Sequence, residues 1–152
     1  MMSTFESTVK QIPHRQESVF ATLSDLSNLE SLKESIEQNR DRLPEEARQH
    51  IDKLRDLKFS TDSLSIQAPM VGEVSLRIIE REPCKTIKFE TENSPIALNM
   101  WIQLLPTAES ACKMKVTIKG DIPFMFKAMV SKPLQEGVEK IADMLAMIPY
   151  RD

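Results

Sequence analysis

Two histidines and two cysteines are the whole supply of imidazole and thiol chemistry in this chain of 152 residues. His14 falls in a loop ahead of the first expected helix, and His50 on the polar side of a later one. Neither stands at a fixed spacing from a Cys, Ser or carboxylate that would form a nucleophile–base pair, so both read as surface residues. Cys84 falls in a turn. Cys112 lies near the start of an expected strand, paired across to Leu104 and buried, and neither thiol has cationic neighbours that would make it reactive. No H-x-x-x-H, clustered carboxylate set or glycine-rich phosphate loop occurs. Glu80, Glu82, Glu90 and Glu92 crowd one hairpin, but Arg77, Arg81 and Lys88 are interleaved. That pattern describes a solvated charge ladder rather than a metal site. The expectation is therefore no catalytic residue, no metal and no cofactor.

The chemistry that remains is apolar, and it must be positioned by a fold. A chain of this length fits one domain spanning 1–152 and buries roughly 70% of the surface it exposes when unfolded. The net charge of −3 gives no large positive field, so nucleic acid is not an expected partner. Two dispersed cysteines suit a reducing compartment, and no apolar run resembles a leader or a membrane span. A cytoplasmic protein without integral membrane association is expected.

Residues 4–11 alternate, with Phe5, Ser7 and Val9 on one face, which predicts a strand ended by Pro13. From Gln16 the period becomes helical through Val19, Phe20 and Leu23. Asp25 and Ser27 then cap a second short helix bearing Leu29, Leu32 and Ile36. A further helix is expected over residues 44–57, opened by Pro44 and the acids Glu45 and Glu46. Beyond residue 57 turn signals recur at short intervals and predict six strands in an antiparallel meander.

Reversal at Pro83 and Cys84 pairs Ile78 with Phe89 and Arg77 with Glu90. Reversal about Ala108 pairs Ile102 with Met114, Met100 with Val116 and Leu98 with Ile118. On the other face it sets Trp101 against Lys115, where a cation–π contact is expected. Each hairpin sorts into a dry face and a wet one, and such a sheet needs a cover. The C-terminal segment supplies it. After start signals at Asp121 and Pro123, Val130, Leu134, Val138, Ile141, Leu145 and Ile148 recur at helical spacing up to Pro149, and Pro133 should bend the axis. The sequence thus predicts an α+β fold, with about seven strands curved around a long terminal helix and two short helices after the first strand.

In that order of elements the chain resembles the START-like, or SRPBCC, superfamily of the helix-grip fold, which includes pollen allergens, polyketide cyclases and lipid-transfer domains. The likeness is carried by the run QESVFATLSD from Gln16 to Asp25 and by the terminal stretch from Phe124 to Ile148, and it covers nearly the whole chain. The helix around residues 44–57 and the absence of a glycine-rich loop depart from many members. The resemblance implies a cavity between the concave sheet and the first half of the terminal helix. On the expected registers its lining would be Leu76, Ile78, Phe89, Leu98, Met100, Met114 and Val116 from the sheet, with Met125, Phe126 and Met129 from the helix. Four of these are methionines, which remould around varied ligands or fill a core outright.

Three functions follow in order of expectation. The first is binding or carriage of a small hydrophobic ligand, such as a lipid, isoprenoid or polyketide-like molecule. The second is a protein-interaction module of co-chaperone or ribosome-associated type. The third is a cyclase or aromatase, for which the dry face offers only Thr91 and Glu80 as polar groups. The protein is expected to be a monomer or weak homodimer, with Trp101 on the outer face as a candidate interface residue.

Overall fold

The computed structural model describes residues 2–42, 44, 45, 48, 57–68, 72–92, 96–146, 148 and 150. The chain runs β1 (Met2–Glu6), β2 (Lys10–Ile12), α1 (Gln16–Leu23), α2 (Ser27–Gln38) and a 3-10 turn (Arg40–Arg42). Then come β3 (Leu57–Phe59), β4 (Ser63–Ala68), β5 (Gly72–Glu82), β6 (Thr86–Glu92), β7 (Leu98–Ala108) and β8 (Ala111–Asp121), and last α3 (Phe124–Ala146). One antiparallel sheet has the order β1-β8-β7-β6-β5-β4-β3, with β2 also on β8. The expected helix over 44–57, with Ala47, His50, Ile51 and Leu54, lies almost wholly outside the described residues.

The strand count rises from about seven to eight because the first expected strand is two. Phe5 pairs with Ile118 in β1 and Ile12 with Cys112 in β2, a register one residue out of step. Between them the Ser7 N–H donates to the Val116 carbonyl, while the Val116 N–H donates to Ser7 Oγ, both at 2.9 Å. The hydroxyl takes the place of a backbone carbonyl, and the slip exchanges faces as a bulge does. Val9, expected beside Phe5 on the dry face, is therefore exposed, and Ile12 is buried instead.

The β5–β6 hairpin has the expected register, Ile78 opposite Phe89 and Arg77 opposite Glu90. The β7–β8 hairpin is displaced by two residues. Leu98 faces Gly120, Met100 faces Ile118, Ile102 faces Val116, Leu104 faces Met114, and Cys112 faces Pro106 instead of Leu104. The chain reverses at Glu109–Ser110, and a bulge between Pro106 and Ala108 absorbs one residue. A shift of two changes every partner and leaves every face as it was. A second bulge, between Ile78 and Glu80 in β5, leaves Ile79 and Glu80 both exposed. Glu80 is thus not a polar group of the dry face.

The two short helices anchor the meander at one end. The Asp25 carboxylate accepts hydrogen bonds from the Ser27 N–H (3.0 Å) and hydroxyl (2.6 Å) where α2 starts, and these hold its carboxyl below the usual range. Arg81 donates to the Ser24 carbonyl (2.9 Å) and to Asp62 (2.6 Å), tying the end of α1 to β5 and to the turn before β4. One apolar cluster fills the space between sheet and helices. Val19 and Leu23 from α1, Leu26 from the connection, Leu29 from α2, and Val130, Val138, Ala142 and Leu145 from α3 close over the dry face.

Candidate functional site between the sheet and the terminal helix

The seven expected sheet residues come together. Leu76, Ile78, Phe89, Leu98, Met100, Met114 and Val116 are all buried in the single cluster. They share a face because alternate residues of β5, β6, β7 and β8 point the same way, and the even register shift preserves that. The three expected helix residues do not join them. Met125 is 81% exposed, Phe126 41% and Met129 43%. Phe124, which opens the helix and is not among the expected lining residues, is 92% exposed.

The position of α3 explains the difference. The helix packs against β8, β1 and β2, and its first turn is closed on the Pro123 carbonyl by the N–H groups of Phe126 (2.9 Å) and Lys127 (3.1 Å). All six residues from Phe124 to Met129 are exposed. Lys127 lies on the same stripe as Leu134, Val138 and Leu145 at helical spacing, yet it too is exposed. Every side of the head is therefore at least partly open to solvent, most of all at Phe124 and Met125. Contact starts at Val130, and Pro133, with no N–H to give the Met129 carbonyl, follows where the free head meets the packed body.

Under the body the buried side chains of sheet and helices form one cluster. A void of about 20 Å³ remains, walled by apolar side chains from α1, α2, the sheet and the last turns of α3, Met100 and Met144 among them. That volume is close to one water molecule, and an apolar wall offers water no partner. A larger guest does not fit this void unless its lining, Met100 and Met144 included, rearranges. The dry face gives such a guest little polar chemistry. Thr91 Oγ1 accepts from the Leu98 N–H (3.0 Å) and reaches the Ile96 carbonyl (3.4 Å), so it fastens the β6–β7 connection. Among the described residues no group of three His, Cys, Asp or Glu is arranged to hold a metal ion.

The other residues singled out from the sequence are dispersed. His14 is half-buried rather than on the surface, its ring edge-on to Tyr150 with centroids 5.7 Å apart. The Tyr150 hydroxyl donates to the Leu145 carbonyl (2.7 Å), and burial pushes its pKa up. His50 lies outside the described residues. Cys84 occupies the tight turn after β5 with φ of 64°, and its carbonyl accepts from Gln16 Nε2. Trp101 is half-buried on the outer face, with Lys88 Nζ 5.4 Å and Lys119 Nζ 5.9 Å from its ring centroid. The expected partner Lys115 instead meets Glu6 at 3.6 Å, because the two-residue register shift carries it opposite Gln103.

No protein-family model matches the chain, and no curated protein sequence does. Solved structures do. Norcoclaurine synthase from Thalictrum flavum, in complex with dopamine and hydroxybenzaldehyde, superposes with a TM-score of 0.65 over 96% of this chain and 85% of that one, at 12% identity. A START superfamily protein from Mycobacterium smegmatis gives 0.59 over 95% and 94%, also at 12%. The protein XoxI from Bacillus cereus gives 0.55 over 95% and 92%, again at 12%. At such identities the likeness is one of fold, and the chain has the START-like, helix-grip fold. Among the described residues no helix is long and apolar enough to cross a membrane.

Proposed function

We propose that this protein binds a small hydrophobic ligand between the dry face of its sheet and the terminal helix, and that it carries or senses the ligand rather than transforming it. The observation that carries this reading is the exposed apolar head of α3, which stands at one end of an interior walled by Leu76, Ile78, Phe89, Met100 and Met114. Unpacked apolar residues next to an apolar interior provide an opening and a surface along which an apolar molecule can pass. The methionines among them can repack with little strain. Norcoclaurine synthase, a protein of this fold, has been seen with the small aromatic molecules dopamine and hydroxybenzaldehyde. Carriage is favoured over catalysis because Thr91 is already engaged by backbone groups.

The test is a titration with a fluorescent fatty-acid probe, paired with native mass spectrometry of freshly purified protein. Saturable probe binding, weakened when Met100→Glu places a charge on the dry face, is the expected result, with far-UV circular dichroism confirming that the variant is folded. Absence of probe binding, together with protein that carries no extractable lipid, would sink the reading.

A further inference from the structure

The head of α3 is more apolar and more exposed than an opening to a cavity requires. Phe124 and Met125 are 92% and 81% exposed, so neither side chain is held against the body of the protein. Met2 adds to the same end. It is 66% exposed and pairs with Asp121, three residues before the helix. Contiguous exposed Phe and Met side chains of this kind mark a surface that something covers.

Charge decides what covers it. From Phe124 to Gln135 the sequence carries two cations, Lys127 and Lys132, and no carboxylate, in a chain whose net charge is −3. Both lysines are exposed, and on the preceding strand Lys119 is exposed as well. Asp121 and Glu136 border the stretch without entering it. A second copy of the chain, meeting the first by two-fold symmetry, would set Lys127 and Lys132 against their counterparts, with only the bordering Asp121 and Glu136 to compensate. An anionic bilayer meets the same lysines with opposite charge and accepts the apolar side chains between its acyl chains.

We propose that the first two turns of α3 dock the protein on anionic membrane surfaces. Phe124, Met125 and Met129 enter the headgroup boundary, and Lys127 and Lys132 lie at the level of the phosphates. The docking does not require the ligand-binding reading, although it would set the opening of the interior against a source of apolar molecules.

Co-sedimentation with vesicles tests it. The intact chain should pellet with vesicles of phosphatidylglycerol and phosphatidylcholine in equal parts, much less with phosphatidylcholine alone, and less as salt rises. Phe124→Asp with Met125→Asp changes side chains that touch almost nothing, so the variant should stay folded and lose vesicle binding. Lys127→Glu with Lys132→Glu should weaken binding on the order of tenfold or more, because each lysine near a charged surface is worth about 1 kcal/mol. Lys127→Glu with Lys132→Glu leaves every apolar residue of the head and of the interior in place, so fatty-acid probe binding should persist in that variant, which separates failure of docking from failure of ligand binding. The proposal is overturned if the intact chain leaves both kinds of vesicle in the supernatant, or if Phe124→Asp with Met125→Asp pellets as the intact chain does. It is equally overturned if sedimentation equilibrium shows a dimer that the same double variant abolishes.

Discussion

The two halves of α3 are built from similar residues and live in different surroundings. The body buries Val130, Val138, Ala142 and Leu145 against the sheet and the short helices. The head, Phe124 to Met129, is if anything more apolar and buries nothing of comparable extent. The body is also fastened from outside the core. Glu139 accepts from the Thr8 N–H (2.8 Å) and hydroxyl (2.9 Å) and pairs with Lys10, which reaches Asp143 at 2.6 Å. Gln135 donates to the Glu6 carbonyl (2.9 Å). These contacts fall where β1 breaks into β2, so the helix both covers that sheet edge and satisfies its backbone. Among the described residues no such fastening is seen at the head. Apolar residues in the body stabilise the fold, and those in the head are free to stabilise a complex.

Truncation should expose this difference most strongly. Leu145→Ala removes a buried side chain beside the existing void and should cost roughly 2–5 kcal/mol in chemical denaturation. Phe124→Ala, although it deletes a larger side chain, should change stability by less than about 0.5 kcal/mol. A loss above about 1 kcal/mol for Phe124→Ala would mean that the head is packed in solution, and the contrast between the halves would collapse.

A smaller effect is expected just before the head, where β8 ends. A methyl group on Gly120 would lie 2.3 Å from Leu98 Cδ2 and 2.7 Å from the Ala97 carbonyl oxygen. The leucine tip can turn aside, but the carbonyl belongs to the backbone and cannot yield without moving the start of β7. Gly120→Ala should therefore destabilise by about 1–3 kcal/mol, as overpacked sites do. Gly137, within the body of α3, offers an internal control, since a methyl group there meets nothing within 4 Å. Gly137→Ala should be neutral or stabilising by up to about 1 kcal/mol through helix propensity. If the two substitutions had equal effects, the close approach at the end of β8 would not exist in solution.

Much of the fold was legible because it follows from periodicity. Alternation assigned the dry faces of β5 to β8, and it survived a register error of two residues in β7–β8 because face depends only on parity. What alternation could not reveal were the places where parity breaks. The Ser7 hydroxyl that acts as a strand acceptor and the bulges at Ile79 and after Pro106 carry no strong residue signature, and they decide where Val9, Glu80 and Lys115 end up. The candidate site was half legible for a related reason. Leu76, Phe89 and Met100 were assigned inward by their own strands, but Met125 and Met129 were assigned inward only by the resemblance. Burial of a helix residue depends on whether anything lies beneath it. Lys127 gave a sequence signal, since a lysine on the stripe of Leu134, Val138 and Leu145 marks where that stripe stops being covered.

The fastening of the body can be removed without touching the core, and acid should do so first. Glu139 has its carboxyl lowered from 4.5 to about 2, chiefly by Lys10 and then by the Thr8 N–H and hydroxyl. A group depressed in the folded state contributes stability above its unfolded value, and that contribution drains away as pH falls from about 4.5 toward 2. The same pair raises the pKa of Lys10, with Asp143 the larger cause and Glu139 the second, and that contribution is lost only at strongly alkaline pH. Because these side chains are partly exposed, solvent screening limits the effect of Glu139→Gln at pH 7 to about 1 kcal/mol of lost stability. The gap between wild type and Glu139→Gln should close as the pH falls to about 2, and added salt should narrow it at neutral pH. A gap unchanged between pH 7 and pH 2 would show that the ion pair contributes nothing and that apolar packing alone holds the body. Vesicle binding by Glu139→Gln at neutral pH should equal that of the wild type, because the head to which docking is assigned does not depend on how the body is held.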